Sequence, residues 1–248
     1  MDGGFFWACA IVAAVVVGMG KGGLPVVGML GVPILSLAIS PVTAAGLLLP
    51  VYVLSDMFGL YAYRHAYDRR VLAILMAGVT IGVGLGWATA KITPEWAVTA
   101  LVGVIGAVFA LRLLLRRGGV ETRRAEVAPG LFWGSLTGFT SFVSHSGVPP
   151  FQVYVLPLGL TKVVFAGTNT ILFAYLNGIK LVPYWALGQF TSGNLQVAFT
   201  LMPAAAVAVF AGVKLVKIIP ERLFFQIVTW ALLAISLKLI WDGLSAAS

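Results

Sequence analysis

Residues 144–157 read SHSGVPPFQVYVLP, and residues 20–33 read GKGGLPVVGMLGVP. Laid over one another, the stretches match Gly147 with Gly23, Pro149 with Pro25 and Pro157 with Pro33, and they set His145 opposite Lys21. Both place helix breakers between apolar runs that otherwise favour continuous helix. The match continues along the chain. AGLLLPVYVLSD (45–56) aligns with AGTNTILFAYLN (166–177), which sets Asp56 opposite Asn177, and KITPE (91–95) aligns with KIIPE (217–221). Three matches in one order, at offsets of 124, 121 and 126 residues, predict a duplicated chain. The expected layout is a first repeat over 1–115, a basic linker over 116–129 and a second repeat over 130–248, all within one membrane domain.

Composition fixes the solvent of this chain. Of 248 residues, 60% are hydrophobic and 10% charged, and the mean hydropathy is +1.02. Soluble domains carry about 25% charged residues, so a soluble globular fold is excluded in favour of a polytopic membrane protein. Apolar segments fall at 4–20, 24–39, 42–63, 71–91, 96–115, 128–143, 149–160, 163–185, 195–216 and 222–241. They do not alternate polar with apolar residues, and the long ones have the length of a helical crossing. The expectation is an all-α protein with about 8–10 helical membrane segments. Segments 24–39 and 149–160 are short for a crossing and read as half-helices or re-entrant arms, permitted only where protein or a watery cavity covers their backbone.

The net charge of +8 sits in short inter-segment loops. It therefore reports orientation in the bilayer and not a nucleic-acid partner. Arg64, His65, Arg69 and Arg70 mark one cytoplasmic loop, and Arg116, Arg117, Arg123 and Arg124 mark the linker as another. The loop around 186–194 has no charge, whereas 214–222 holds Lys214, Lys217 and Arg222 against Glu221. This parity makes 214–222 cytoplasmic and its counterpart 91–95 external. The two repeats are then inverted, with both termini outside. The N-terminal segment lacks a basic start and a clear cleavage site, so it is expected to be retained. The single cysteine, Cys9, excludes an internal disulfide framework, and His65 in a basic loop excludes a zinc site with His145. No cofactor or metal is called for.

Inverted halves with broken backbone at matching places point to a secondary transporter with its site near the midplane. The expected substrate-binding residues are Lys21, Gly22 and Gly23 in one turn and Ser144, His145, Ser146 and Gly147 in the other, with Thr168 and Asn169 completing the pocket. Gly23 and Gly147 are expected to supply the tight turns, Pro25 and Pro149 the helix starts. Helix ends and a lysine together suit an anion. Thr137, Thr140, Ser141 and Ser144 share one helical face and are candidates for an anion path, as is Gln152. Asp56 and Asn177 are candidates for pathway or coupling. Asp56 also lies two turns before Arg64, which predicts a structural link to that basic loop. His145 is the first candidate for a proton-carrying group. Lys162 and Lys180 read as snorkelling residues near segment ends, and Gly78, Gly82 and Gly86 as a packing face. Such glycine faces serve internal packing or a homodimer.

GMGKGGLPVVGMLGVPIL (18–35), SDMFGLYAYRH (55–65), GFTSFVSHSGVPPFQVYVLP (138–157) and AGTNTILFAYLN (166–177) together resemble the sulfite exporter family TauE/SafE, also called the 4-toluene sulfonate uptake permeases. The resemblance covers most of the chain. It implies a carrier in the bacterial inner membrane for sulfite, sulfonates or related organic anions. Its partners would be a small anion and the lipid bilayer. Three other readings stay open beside it. An anion channel would lack saturable flux and counterflow. A scaffold subunit would respond to substitutions in the two turns by altered assembly. An intramembrane enzyme at Ser144 or Ser146 would accept a covalent acyl or phosphonyl probe, although adjacent residues on a turn do not form a nucleophile–base pair.

Overall fold

The computed structural model describes residues 3–115, 122–186 and 192–246. Arg116 and Arg117 of the expected linker, and most of the uncharged 186–194 loop, lie outside the described residues. Among the described residues there is no strand. The helices are α1 (Gly4–Lys21), α2 (Pro25–Gly28), α3 (Gly31–Leu35), α4 (Pro41–Tyr63), α5 (Arg69–Thr89), α6 (Glu95–Leu115), α7 (Val127–Ser144), α8 (Val148–Val155), α9 (Lys162–Ala186), α10 (Ser192–Ile218) and α11 (Glu221–Ser245). Among the described residues, six are long and apolar enough to cross a bilayer: α1, α4, α5, α6, α10 and α11. The chain is therefore an all-helical, multi-pass membrane protein.

The helix boundaries follow local chemistry. The Ser40 hydroxyl accepts from the Thr43 amide at 3.3 Å, and the Asp68 carboxylate from the Val71 amide at 2.9 Å, so both side chains cap the helices that follow. Pro25 opens α2 and Pro220 immediately precedes α11, where a missing N–H costs nothing. The two short segments are broken as their sequence demands. The first divides into α2 and α3, of 4 and 5 residues. The second is α8, of 8 residues, which rises about 12 Å against a hydrocarbon core of about 30 Å. It is followed by a 3-10 turn at Leu156–Leu158.

The chain divides into two compact units, each drawing helices from both sides of the linker. The first comprises Met1–Tyr67 and Val163–Ile219. Here α1 buries Phe6, Cys9, Ala10, Ala13, Ala14 and Val17, a stripe at helical spacing, against Leu47, Leu48 and Val51 of α4 and Ala198, Leu201 and Ala205 of α10. Small residues let the backbones of α1 and α10 approach. A Cβ on Gly22 would lie 2.5 Å from the Val209 carbonyl oxygen and 2.7 Å from Gly212 Cα, closer than atoms can sit. With no hydrophobic force between helices in lipid, this close packing is what holds them together.

The second unit comprises Asp68–Lys162 and Pro220–Ser248. The glycine face of α5 packs on α7: Gly78 meets Leu131 and Gly134, Gly82 meets Ser135 and Phe139, and Gly86 meets Phe142. Gly103 of α6 packs on Ser236 and Ile240 of α11, and Gly243 of α11 returns the contact at Trp96 and Ala100. The opposite faces of these helices expose Leu101, Val104, Val108, Leu111, Trp230, Leu237 and Trp241. Exposed apolar side chains in that number are what a bilayer, and not water, solvates.

Candidate functional site

In the first unit the chain breaks just after α1. Gly23 takes φ +105°, a left-handed conformation that a side chain resists, and α1 stops there. The peptide groups released by the break find partners. The Tyr63 hydroxyl donates to the Gly22 carbonyl at 2.7 Å and the Thr170 hydroxyl to the Lys21 carbonyl at 3.1 Å. The Gly22 amide returns to Gly18 at 2.8 Å. A break inside an apolar scaffold is thereby fixed by α4 and α9. Because α2 has only 4 residues, its end carries little of the dipole field expected there.

Lys21, the last residue of α1, is buried at 6% exposure. Its ammonium lies 2.6 Å from Asp56 Oδ1, an ion pair that is close without being aligned as a hydrogen bond. It also stands 5.2 Å from the centre of the Tyr52 ring, within reach of a cation–π attraction. Asn177 donates Nδ2 to Asp56 Oδ2 at 2.7 Å. The structure thus joins Lys21, Asp56 and Asn177 in one buried cluster. The expected link from Asp56 to Arg64 is not present. Arg64 is exposed, stacks over Tyr61 at 4.3 Å and donates to His65 at 3.0 Å, because the last turn of α4 leads out of the buried region.

Thr168, Asn169 and Thr170 of α9 are all buried. Asn169 Oδ1 and Ser55 Oγ are buried polar atoms without a hydrogen-bond partner among the described residues. Such orphans are rare and call for a bound group or water. Lys180 departs from its expectation. It is 1% exposed and stands 5.5 Å from the centre of the Tyr184 ring. A snorkelling lysine keeps its head in water; this one lies well inside α9. The signal available in sequence was its spacing, three residues beyond Asn177 and so on the same face. Lys162, by contrast, is half-buried at the first position of α9.

In the second unit, α7 ends at His145, which holds φ 53° and ψ 18°. The left-handed residue of this turn is therefore His145. Gly147 has φ −75° and does not use the freedom expected of it. The hydroxyl stripe forms one face as its spacing requires, but the hydroxyls mostly turn back on the backbone. Thr137 donates to Trp133 O at 2.7 Å, Thr140 to Leu136 O at 2.7 Å, and Ser144 to Thr140 O at 3.2 Å. Ser146 donates to Ser144 O at 2.9 Å. These bonds are local, of the kind hydroxyls make inside helices. Gln152 is different. It is fully buried, and both its amide nitrogen and its amide oxygen lack partners among the described residues.

An apolar, multi-pass helical scaffold that interrupts its helices to bury an ammonium, a carboxylate and unsatisfied amides is a membrane transporter in class. The chain belongs to the sulfite exporter TauE/SafE family, whose model matches residues 6–239. Comparison with curated proteins found no match, and comparison with solved structures found none.

Proposed function

We propose that the protein carries a small oxyanion, sulfite or an organosulfonate first among them, out across a bacterial inner membrane. The observation that carries this reading is Lys21. A lysine held at 6% exposure in a helix break of a membrane protein marks a functional position; Asp56 pairs with it at 2.6 Å, and an anion would compete with that carboxylate for the same ammonium. Gly22 and Gly23 form the break, Thr168 and Asn169 lie on α9 between Ala166 and Thr170, which reach it, and all four would share the anion. In the second unit, considered by itself, Ser144, His145, Ser146 and Gly147 of the other broken segment, with Thr137, Thr140, Ser141 and Gln152, are the candidates for contact with the anion. A repeat of the two halves is supported by the paired packing of α1 on α10 and of α5 on α7, since these pairs exchange under the alignment of the halves; its inversion, with both termini outside, is supported by the basic loops alone. Export needs no further energy source, because an anion leaving an inside-negative cell gains about 2.3 kcal/mol per charge per 100 mV.

Purified protein in liposomes tests this. Saturable sulfite or methanesulfonate efflux with counterflow is expected, and a folded Lys21→Ala protein should lose about tenfold or more of its affinity, as loss of a charged hydrogen bond implies. Equal flux in both proteins would remove Lys21 from the site, and no flux of any anion would end the transporter reading.

A further inference from the structure

The two carboxylate oxygens of Asp56 are held in different ways. Oδ2 accepts from the Asn177 amide at 2.7 Å. Oδ1 lies 2.6 Å from the Lys21 ammonium without an aligned hydrogen bond. Asn177 thus fixes the carboxylate by a directed bond, and Lys21 is drawn to it by charge. The ammonium has a second neighbour as well. Tyr52 stands one helical turn before Asp56 on α4, and its ring centre lies 5.2 Å from Lys21 Nζ, close enough to attract a cation. Tyr52 is itself tied down, because its hydroxyl donates to the Gly28 carbonyl at 3.1 Å. The carboxylate and the ammonium therefore each keep a partner when their contact with one another is broken. All four residues belong to the first unit.

We propose that Asp56 is the release residue of the carrier: an internal carboxylate that gives up Lys21 when the substrate anion binds and drives the anion off when it returns. The reading rests on the transporter function proposed above and adds how the site lets its substrate go. An anion reaching Lys21 has to displace a carboxylate already in contact with it, and a tethered competitor acts at an effective concentration set by its tether. Once bound, the anion shares a region of low dielectric with Asp56, where like charges repel far more than in water. Both effects lower affinity. Affinity changes within one site act mostly on the off-rate, so the same two effects speed release. Asn177 works on the other side of the exchange. It stays bonded to Oδ2 and offsets the isolation of the displaced carboxylate, which favours the bound anion. Asp56 and Asn177 touch each other yet move affinity in opposite directions, whereas a purely structural pair would move it in one.

The test pairs two measurements on the purified full-length protein: calorimetric titration with methanesulfonate in detergent, and methanesulfonate efflux from liposomes. Asp56→Asn is expected to bind about tenfold or more tighter than wild type, the size of one charge-assisted contact no longer competed for. Its maximal efflux rate is expected to fall severalfold, because release slows. Methanesulfonate should also raise the unfolding midpoint of Asp56→Asn more than that of wild type, as tighter binding to the native state requires. Asn177→Leu keeps both charges and carries the test if Asp56→Asn does not fold. It leaves the carboxylate more dependent on Lys21, so methanesulfonate should bind severalfold weaker. Unchanged or weaker binding by folded Asp56→Asn, or unchanged or tighter binding by Asn177→Leu, would overturn the proposal. So would tighter binding by Asp56→Asn at an undiminished efflux rate, since release would then not depend on the carboxylate. Absence of both binding and efflux in wild type would instead defeat the transporter reading on which the proposal rests.

Discussion

Asn177 donates its amide hydrogen to Asp56 at 2.7 Å, and the two residues occupy the same place in the matched stretches 45–56 and 166–177. A side chain touches its own counterpart only close to the axis that relates two copies, because every other point lies farther from its image. In the repeat proposed above, Asp56 and Asn177 would lie at the axis. At such a position identical residues would meet face to face, and two carboxylates would repel. One aspartate and one asparagine instead match a donor to an acceptor, and the second carboxylate oxygen faces Lys21.

That ion pair predicts an asymmetry in stability. Asp56→Leu alone leaves Lys21 charged and buried, and Lys21→Met alone leaves Asp56 so. Removing one partner of a buried pair costs about 3–5 kcal/mol, whereas replacing both by apolar groups is often neutral or stabilising. Denaturant unfolding in detergent should therefore show both single variants destabilised by several kcal/mol on that scale, and the double variant close to wild type. Additive losses would mean that the two charges are stabilised separately.

The approach of α1 to α10 predicts a second contrast. A Cβ on Gly22 would fall 2.5 Å from a backbone oxygen that cannot yield. Gly22→Ala should therefore lower the unfolding midpoint, with a destabilisation of about 1–3 kcal/mol as for other overpacked sites. Gly84, on α5, has open space around the same atom. Gly84→Ala should hold or raise the midpoint, because alanine favours helix by about 1 kcal/mol. A thermal melt followed by circular dichroism compares the two directly.

Much of this architecture was legible in the sequence. Proline, glycine and capping residues mark the helix ends by local chemistry alone, and glycines four apart announce a packing face whichever helix they meet. The short segments were visible because an apolar run that ends too soon cannot reach across a bilayer. What escaped depends on helix rotation and on neighbours distant in sequence. Asp56 and Arg64 share a face on one helix, yet the pairing is with Lys21, 35 positions away, because α1 delivers that lysine to the same depth. Lys180 stands near the end of its segment, but the rotation of α9 sets it on the same buried face as Asn177. His145 took the left-handed turn that Gly147 was expected to supply, since the turn closes two residues earlier, directly on the last carbonyls of α7.

Tyr63 predicts a role in holding the break. Its hydroxyl meets the Gly22 carbonyl at 2.7 Å, and both groups are buried. Tyr63→Phe keeps the ring and leaves that carbonyl without a donor, which costs about 1–3 kcal/mol. The expected result is a lower unfolding midpoint together with weaker methanesulfonate binding by calorimetry, because the Lys21 ammonium hangs from the same turn. A loss of stability with unchanged affinity would show that the turn holds its shape without this bond.

Gln152 predicts the opposite combination. Its amide is fully buried, with neither end hydrogen-bonded to another described residue, and a buried amide left dry costs about 1–3 kcal/mol. Gln152→Leu removes that cost at nearly constant volume, so the unfolding midpoint should stay level or rise. If the amide serves passing anions, the same change should slow methanesulfonate efflux from liposomes. Stability and function would then move in opposite directions, as they do where a protein keeps an unfavourable group for its activity. A lower midpoint would show instead that the amide holds structural water, since losing a satisfied polar network destabilises. An unchanged efflux rate with a raised midpoint would remove Gln152 from the path altogether.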